Sequence, residues 1–340
     1  MNILVDIIHP AHVHFFKNAI AIWQKKGHKV AVTARKKDVT IELLKGLGIE
    51  YKVLSTAGKG RSGLLAELIT RDIKLWNFCR SFRPDVLTGI SGVFISHVGK
   101  LLGKPSVVWD DTEHQKQAHL ITWPFATQIQ SPDCYLKPAI KKQNLYAGFH
   151  ELAYMHPNYF TPDKAIVRSL GIDPDSKYCL IRMVSWQAHH DVGQHGFDSR
   201  KMLDFIEQIS KYATPYLSVE GNCPEYLKKY QLSIPVHMIH HVMAFACLFV
   251  GEGATMASES AVLAVPAVYI NTLRLGYINM LENYGLLKQT TRTEQALQFC
   301  TEFLSNPNTK NNCLAARQKM LSEKIDVTAF IVDTIEKFQK

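Results

Sequence analysis

Four polar clusters in this 340-residue chain hold side chains able to move protons or to hold anions. The first is HPAHVH, which places His9, His12 and His14 within six residues. A neutral imidazole near pH 7 is a good general base for a hydroxyl. Three imidazoles could instead ligate a metal, although no carboxylate or Cys stands beside them at ligand spacing. The second is WDDTEH, in which Asp110, Asp111 and Glu113 are crowded together with His114. Carboxylates buried that close perturb one another's ionisation. A plainer reading has Asp111 or Thr112 capping a helix and Glu113 filling its first turn. The third, SWQAHHDVGQHG, begins with Ser185 and Trp186 and reads as a polar loop that contacts substrate. The fourth is GEGATMASE, from Gly251 to Glu259. Its small residues let backbone N–H groups approach a ligand, and a helix start favours an anion such as a diphosphate. Gly253, Ala254, Thr255 and Ser258 are the residues for that contact. Glu259, about 1.5 turns into the helix, could reach the neighbouring hydroxyls of a ribose, or be solvated or salt-bridged. No P-loop is present, and the third glycine of the dinucleotide fingerprint is missing.

Each cluster follows a short apolar run, the mark of a buried strand. Strands are expected over 2–8, 28–34 and 51–54, then in "RPDVLTGI", "KPSVVWD" and "ATQIQSP". Helices are expected over 11–26, from Asp38 to about 45, over 64–82 and from 91, with a basic glycine loop at 58–63. A second series has strands at 178–184, 216–219, 235–239, 247–250 and 266–270 and helices at 200–211, 224–230, 240–246 and 254–262, with helices filling the remainder. Between the two series, Gly148, Pro157, Pro162 and Pro174 mark a linker. Repeated βα units predict an α/β protein with two Rossmann-like, doubly wound parallel-sheet domains facing a cleft. The expected boundaries are 1–150 for a basic first domain, 151–175 for the linker and 176–340 for a second domain, with the last helices packing back on the first.

The charge is uneven. Lys and Arg number 39 against 30 Asp and Glu, a net +9; residues 1–150 hold 21 against 11 and the rest 18 against 19. The basic excess of the first half suits a solvated surface of high pI or an anionic membrane face. No helix-turn-helix, zinc-finger or RNP pattern points to nucleic acid. The seven Cys are odd in number and never form CxxC, so reduced thiols in the cytoplasm are expected. The N-terminus MNILVDIIHP lacks a basic leader, which predicts no secretory signal. No apolar run approaches the ~20 residues of a membrane span.

With two such domains, a glycine-rich helix start and a downstream Glu, the chain resembles the GT-B glycosyltransferase and sugar-nucleotide epimerase superfamily. "EGATMASESAVLAVPAVYI" is similar to the donor segment of the peptidoglycan lipid-intermediate N-acetylglucosaminyltransferase. That resemblance implies a diphosphate at Gly253, Ala254 and Thr255 and a ribose at Glu259. "AHVHFFKNAIAIWQKKGHKV" resembles the first loop and helix of the same enzyme and puts His12 on its His, though the paired glycines of that loop are absent. "HPAHVHFF", "WDDTEH", "VSW…HHDVG" and "GEGATMASESAVLAVPAVY" are together similar, over nearly the whole chain, to a bacterial and archaeal family known chiefly as a domain of unknown function with a glycosyltransferase-like fold. The resemblance implies inverting, metal-independent transfer of a sugar from a UDP-linked nucleotide-sugar to a glycan or lipid-linked acceptor in cell-surface polysaccharide synthesis. It needs no cofactor and takes place in the cytoplasm or at the inner membrane face. His12 would take the acceptor's proton, Asp111 and Glu113 would assist, and His9, His14, Asp110, His114, Ser185 and Trp186 would contact substrate. The alternatives are a non-hydrolysing UDP-N-acetylhexosamine 2-epimerase, with Asp110, Asp111, Glu113 and His114 serving proton abstraction and UDP elimination, or a non-catalytic sugar-nucleotide-binding protein.

Overall fold

The structure, a computed structural model, describes residues 1–58, 60–183, 202–219 and 221–339. The third polar cluster, with Ser185 and Trp186, lies outside the described residues. The chain divides into two compact units: Met1–Tyr159 with Ile325–Lys340, and Phe160–Lys324. The stretch 151–175 is structured rather than an open linker. Helix Leu152–Met155 belongs to the first unit and helix Lys164–Ser169, capped by Asp163, to the second.

Unit 1 holds seven strands: β1 (Asn2–Ile7), β2 (Lys29–Lys36), β3 (Lys52–Thr56), β4 (Val86–Ile90), β5 (Ser106–Trp109), β6 (Gln128–Pro132) and β7 (Gln143–Tyr146). They pair in the order β3-β2-β1-β4-β5-β6-β7, all parallel. Strands of such a sheet are covered on both faces and therefore read as unbroken apolar runs; β4 is buried along its whole length. Leu4, Leu87, Val108 and Ile129 pack with Leu75, Cys79, Phe94, Ile95 and Val98 from the helices Gly60–Phe82 and Val93–Leu102. Because side chains alternate along a strand, Trp109 faces the other way. Its ring meets Phe15 of helix Pro10–Lys25 and Phe330 of helix Val327–Glu336, so the chain's last helix completes this unit.

One charged network lies inside this layer. Arg71 is fully buried, donates to Asp6 Oδ1 at 2.6 Å and to Ser55 Oγ at 2.8 Å, and Thr33 donates to the same Asp6 oxygen at 2.6 Å. A buried charge is tolerated only when so paired.

Unit 2 holds β8 (Tyr178–Met183), β9 (Thr214–Val219), β10 (Leu248–Gly251), β11 (Ala267–Ile270) and β12 (Leu287–Thr290), ordered β12-β11-β10-β8-β9 and again all parallel. Cys179, Ile181, Leu248, Val250 and Val268 meet Phe205, Ile206, Ile209, Ala296 and Cys300 of the covering helices.

The strand expected at 235–239 is a 3₁₀ turn, Val236–Met238, leading into helix Ile239–Phe245. There Val242 and Met243 are buried with His240, and that spacing of three is helical. β7 and β12 escape the apolar-run criterion because they are four-residue edge strands with half their positions only partly buried or exposed. In both sheets the strand order reverses beside the first strand, at β1/β4 and at β8/β10. Ligands of doubly wound sheets bind at the carboxyl ends of strands at that point.

Candidate functional site

At the carboxyl end of β1 the chain turns through Ile8 into helix Pro10–Lys25. His9 is its N-cap and Pro10 its first residue, a position that needs no N–H. The His9 Nδ1 accepts from Ala11 N at 3.3 Å, and the His12 Nδ1 accepts from Ile8 N at 3.4 Å. A ring that accepts through Nδ1 and is neutral carries its proton on Nε2. Both are held neutral. Burial, then the charge of Lys37, lowers His9 from its ordinary value to about 4. Burial, followed by the charges of His9 and His150, holds His12 well below its ordinary value. His14 is directed away from this pair; it is buried and stacked on Tyr154 with ring centroids 5.3 Å apart.

β5 delivers the WDDTEH cluster. Asp110 Oδ1 accepts from Thr112 N at 3.0 Å, and Oδ2 lies 2.7 Å from His119 Nε2. Asp111 Oδ1 accepts from the Thr112 hydroxyl at 2.8 Å, and Oδ2 lies 3.0 Å from His150 Nδ1. Burial alone would raise the Asp111 carboxyl; the charge and hydrogen bond of His150 and the bond from Thr112 outweigh it and hold it below its ordinary value. Glu113 is buried. Its Oε1 accepts from Leu136 N at 3.2 Å and its carbonyl accepts from Lys137 Nζ. The capping alternative for Asp111 and Thr112 does not hold: the following helix, Lys116–Thr122, begins after Gln115 without a side-chain cap, and Thr112 serves the two aspartates instead. His114 is exposed at the rim, its ionisation lowered by partial burial and by His119.

The geometry thus joins His9, His12, Asp111 and, from beyond β7, His150, with Asp110–His119 and Glu113–Lys137 beside them. His150, His119 and Lys137 were not marked by the sequence. The signal for His150 was available, since "GFHE" follows β7 as HPAHVH follows β1 and WDDTEH follows β5; an unrecognised edge strand hid it. Among the described residues, no group of three or more His, Cys, Asp or Glu is arranged to hold a metal ion.

Unit 2 presents different material. β10 ends at Gly251, where a Cβ would lie 2.7 Å from both the Cβ and the carbonyl oxygen of Arg182 on β8. That glycine serves the close approach of the two strands. Gly253 differs: its φ of −87° suits any residue, and a Cβ there would meet nothing within 4 Å. Gly253 is the N-cap of helix Ala254–Val262. No side chain caps this start, no acid stands in its first turn, and Gly253, Ala254 and Thr255 are half-buried. The first-turn N–H groups of such a helix are available to an anion. Ser258 is fully buried within the helix. Glu259 is buried too, with Oε1 3.0 Å from Nε2 of buried His240. His240 is a partner the sequence did not single out.

Over 285 residues, 79% of this chain and 81% of the other, the sequence is 22% identical to an uncharacterized protein of Methanocaldococcus jannaschii. The fold is that of UDP-GlcNAc 2-epimerase from Neisseria meningitidis, solved bound to UDP-GlcNAc, with a TM-score of 0.72 at 13% identity over 99% of this chain and 100% of that one. It is also that of the spinosyn forosaminyltransferase, with a TM-score of 0.66 at 13% identity over 99% and 98% of the two chains. The two parallel-sheet domains are therefore of the GT-B kind that transferases and epimerases share. The chain belongs to the family described as protein of unknown function (DUF354), whose pattern matches residues 1–339.

Proposed function

We propose that the chain is an inverting glycosyltransferase that takes a UDP-linked sugar and passes it to a glycan or lipid-linked acceptor. The uncapped, acid-free start of helix Ala254–Val262, with open space at Gly253, carries this reading. Backbone N–H groups and the helix dipole would meet the charge of a departing diphosphate, so no metal ion is required there. Unit 1 supplies what the acceptor needs: neutral imidazoles and an ionised Asp111 at the carboxyl ends of β1 and β5. A second reading, 2-epimerisation of a UDP-N-acetylhexosamine, is favoured by the higher TM-score of the epimerase, 0.72 against 0.66, and by the crowding of Asp110, Asp111 and Glu113.

The test is titration calorimetry with UDP, GDP, CMP, ADP and UDP-N-acetylglucosamine against the protein and its Thr255→Glu variant. An acid in the first turn suits the helix dipole, so the fold is kept while a diphosphate is repelled. Binding of UDP and UDP-N-acetylglucosamine, lost in the variant, is expected. UDP release that needs an added acceptor then marks transfer, a C2-epimerised product marks the second reading, and binding without turnover marks a binding protein. No binding by any nucleotide would overturn the proposal.

The same reading places the acceptor at a membrane face. Among the described residues, no helix is long and apolar enough to cross a membrane. Yet Leu65, Ile69 and Ile73, one turn apart on helix Gly60–Phe82, are 59%, 55% and 54% exposed, as is much of Leu101 and Leu120 on two neighbouring helices. Asp72 and the backbone of Ile121 both bond to His97, linking these three helices, which also carry the exposed Lys74, Lys100 and Lys116. Exposed apolar side chains and lysines on the same helices suit an anionic lipid surface. Co-sedimentation with phosphatidylglycerol vesicles, reduced by high salt and by Ile69→Glu with Ile73→Glu, is expected; equal binding to neutral vesicles would count against it.

A further inference from the structure

The three histidines of HPAHVH are the obvious bases, yet their geometry is that of donors or packing groups. His9 and His12 each spend the Nδ1 lone pair on a backbone N–H and, being neutral, carry hydrogen on Nε2. A donor at that nitrogen can hold a substrate oxygen; it cannot take a proton from it. His14 is stacked on Tyr154.

His150 has the opposite arrangement. Its Nδ1 lies 3.0 Å from Asp111 Oδ2, and an ionised carboxylate can only accept, so Nδ1 carries the hydrogen and, in the neutral ring, Nε2 keeps its lone pair. Asp111 is itself fixed, its other oxygen accepting from Thr112. The imidazole is pressed on Phe15 with ring centroids 4.5 Å apart. His150 is 6% exposed, and among the described residues nothing gives Nε2 a hydrogen-bond partner. The Tyr146 hydroxyl, also buried and without a partner among the described residues, stands at the end of β7, and the charge of Asp111 is felt there. Buried polar atoms are mostly satisfied, and each exception calls for an explanation, a catalytic role among them.

We infer that the Asp111–His150 pair is the proton acceptor of this chain, that it serves a hydroxyl-bearing substrate, and that His12 is a donor to a substrate oxygen. The inference rests on the proposed sugar transfer for its chemistry. The acceptor's O–H bond breaks and its proton goes to the His150 Nε2 lone pair. The oxygen pair so freed forms the bond to the anomeric carbon, and the bond from that carbon to the diphosphate oxygen breaks with its pair leaving on the diphosphate. Asp111 remains ionised throughout and balances the imidazolium. Because Nε2 lies below the surface, the group that meets it is slim: the hydroxyl itself or one bridging water.

Two measurements on the full-length protein decide the matter. Long-range ¹⁵N–¹H spectra of histidine-labelled protein read each tautomer without any substrate. Hydrogen on Nδ1 of His150 and on Nε2 of His12, with the His150 pattern lost in Asp111→Asn, is the expected result; hydrogen on Nε2 of His150 overturns the inference. Turnover of UDP-N-acetylglucosamine is then compared in His150→Gln, Asp111→Asn, the double variant and His12→Gln, each checked for an unchanged thermal midpoint. His150→Gln should lower kcat by roughly 10²–10⁴ with KM little changed, and the double variant should lose no more than that. His12→Gln should raise KM more than it lowers kcat. A His150→Gln protein turning over within about threefold of the parent, or a kcat loss in His12→Gln equal to that in His150→Gln, overturns the assignment. If the intact protein consumes no nucleotide-sugar, the functional reading fails, and the tautomers alone still decide whether His150 is the open base.

Discussion

At the carboxyl edge of the seven-stranded sheet stand His9, His12, His119 and His150 among Asp110, Asp111 and Glu113; at the same edge of the five-stranded sheet stand Gly251, Gly253 and the open first turn of a helix. The one carboxylate described within that second helix, Glu259, already faces His240. Among the described residues, one fold has thus been furnished in two ways. Unit 1 presents side chains that can exchange protons, and the described part of unit 2 presents the first-turn dipoles of a helix, with buried Glu252 just before it. A carboxylate beside a departing diphosphate would repel it, while a peptide N–H attracts it.

The contrast extends beneath the sheets and gives the largest expected effect. Unit 1 tolerates buried charge even away from its site, at Asp6–Arg71, both nearly inaccessible. Replacing Arg71 by Leu strands Asp6 and is expected to cost about 3–5 kcal/mol in urea unfolding. The matched change in unit 2, Glu259→Ala, leaves a buried His240 short of one partner and is expected to cost about 1–3 kcal/mol. If the second loss equals the first, unit 2 depends on buried charge as much as unit 1, and the contrast fails.

Acid should act next, through the histidines of unit 1. Between about pH 4 and the ordinary histidine value of 6.5, folded His9 stays neutral while the unfolded chain takes a proton, and His12 behaves alike. The unfolded state then binds more protons, so stability rises with pH through this window and is lost as pH falls. His97, raised by its bond to Asp72, has the reverse sign: its contribution is complete at low pH and fades as pH climbs through its raised value. Thermal midpoints from pH 7 to 4.5 should therefore fall less steeply in His9→Gln and His12→Gln than in the parent, and more steeply in His97→Gln. Parallel curves would show that these imidazoles are not held neutral by the fold.

How much of this was legible in the sequence depended on whether a signal was local. Strand ends carrying HPAHVH, WDDTEH and GEGATMASE were readable because buried parallel strands are apolar runs and the polar residues follow at once. Pairings were not, because Asp111 and His150 are 39 positions apart and meet only through the order of β5, β6 and β7. Edge strands β7 and β12 lacked an apolar run long enough to read. The run at 235–239 misled because Pro235 followed by Val236, Met238 and Ile239 fits a strand as well as the approach to a helix. Spacing alone also could not show that Glu259 meets His240, nineteen residues earlier and on another helix.

The smallest effects fall on two glycines that the sequence treats alike. A Cβ at Gly251 would press on the backbone of Arg182 at 2.7 Å, and backbone cannot swing aside as a side-chain end can. Gly251→Ala is therefore expected to cost about 1–3 kcal/mol through a forced shift of β8 against β10. At Gly253 the added methyl enters open space at an ordinary φ, so Gly253→Ala should change stability by no more than about 0.5 kcal/mol. If an anion rests on that helix start, the same methyl occupies room the ligand needs, and UDP should bind more weakly to a protein that unfolds no more easily. Urea midpoints and calorimetric titration of the two variants separate these roles. Weakened binding with unchanged unfolding at Gly253 marks a glycine kept for a ligand. Unchanged binding there would leave the pair as strand packing and an idle turn, and would remove backbone anion binding at this turn from the contrast between the two sheets.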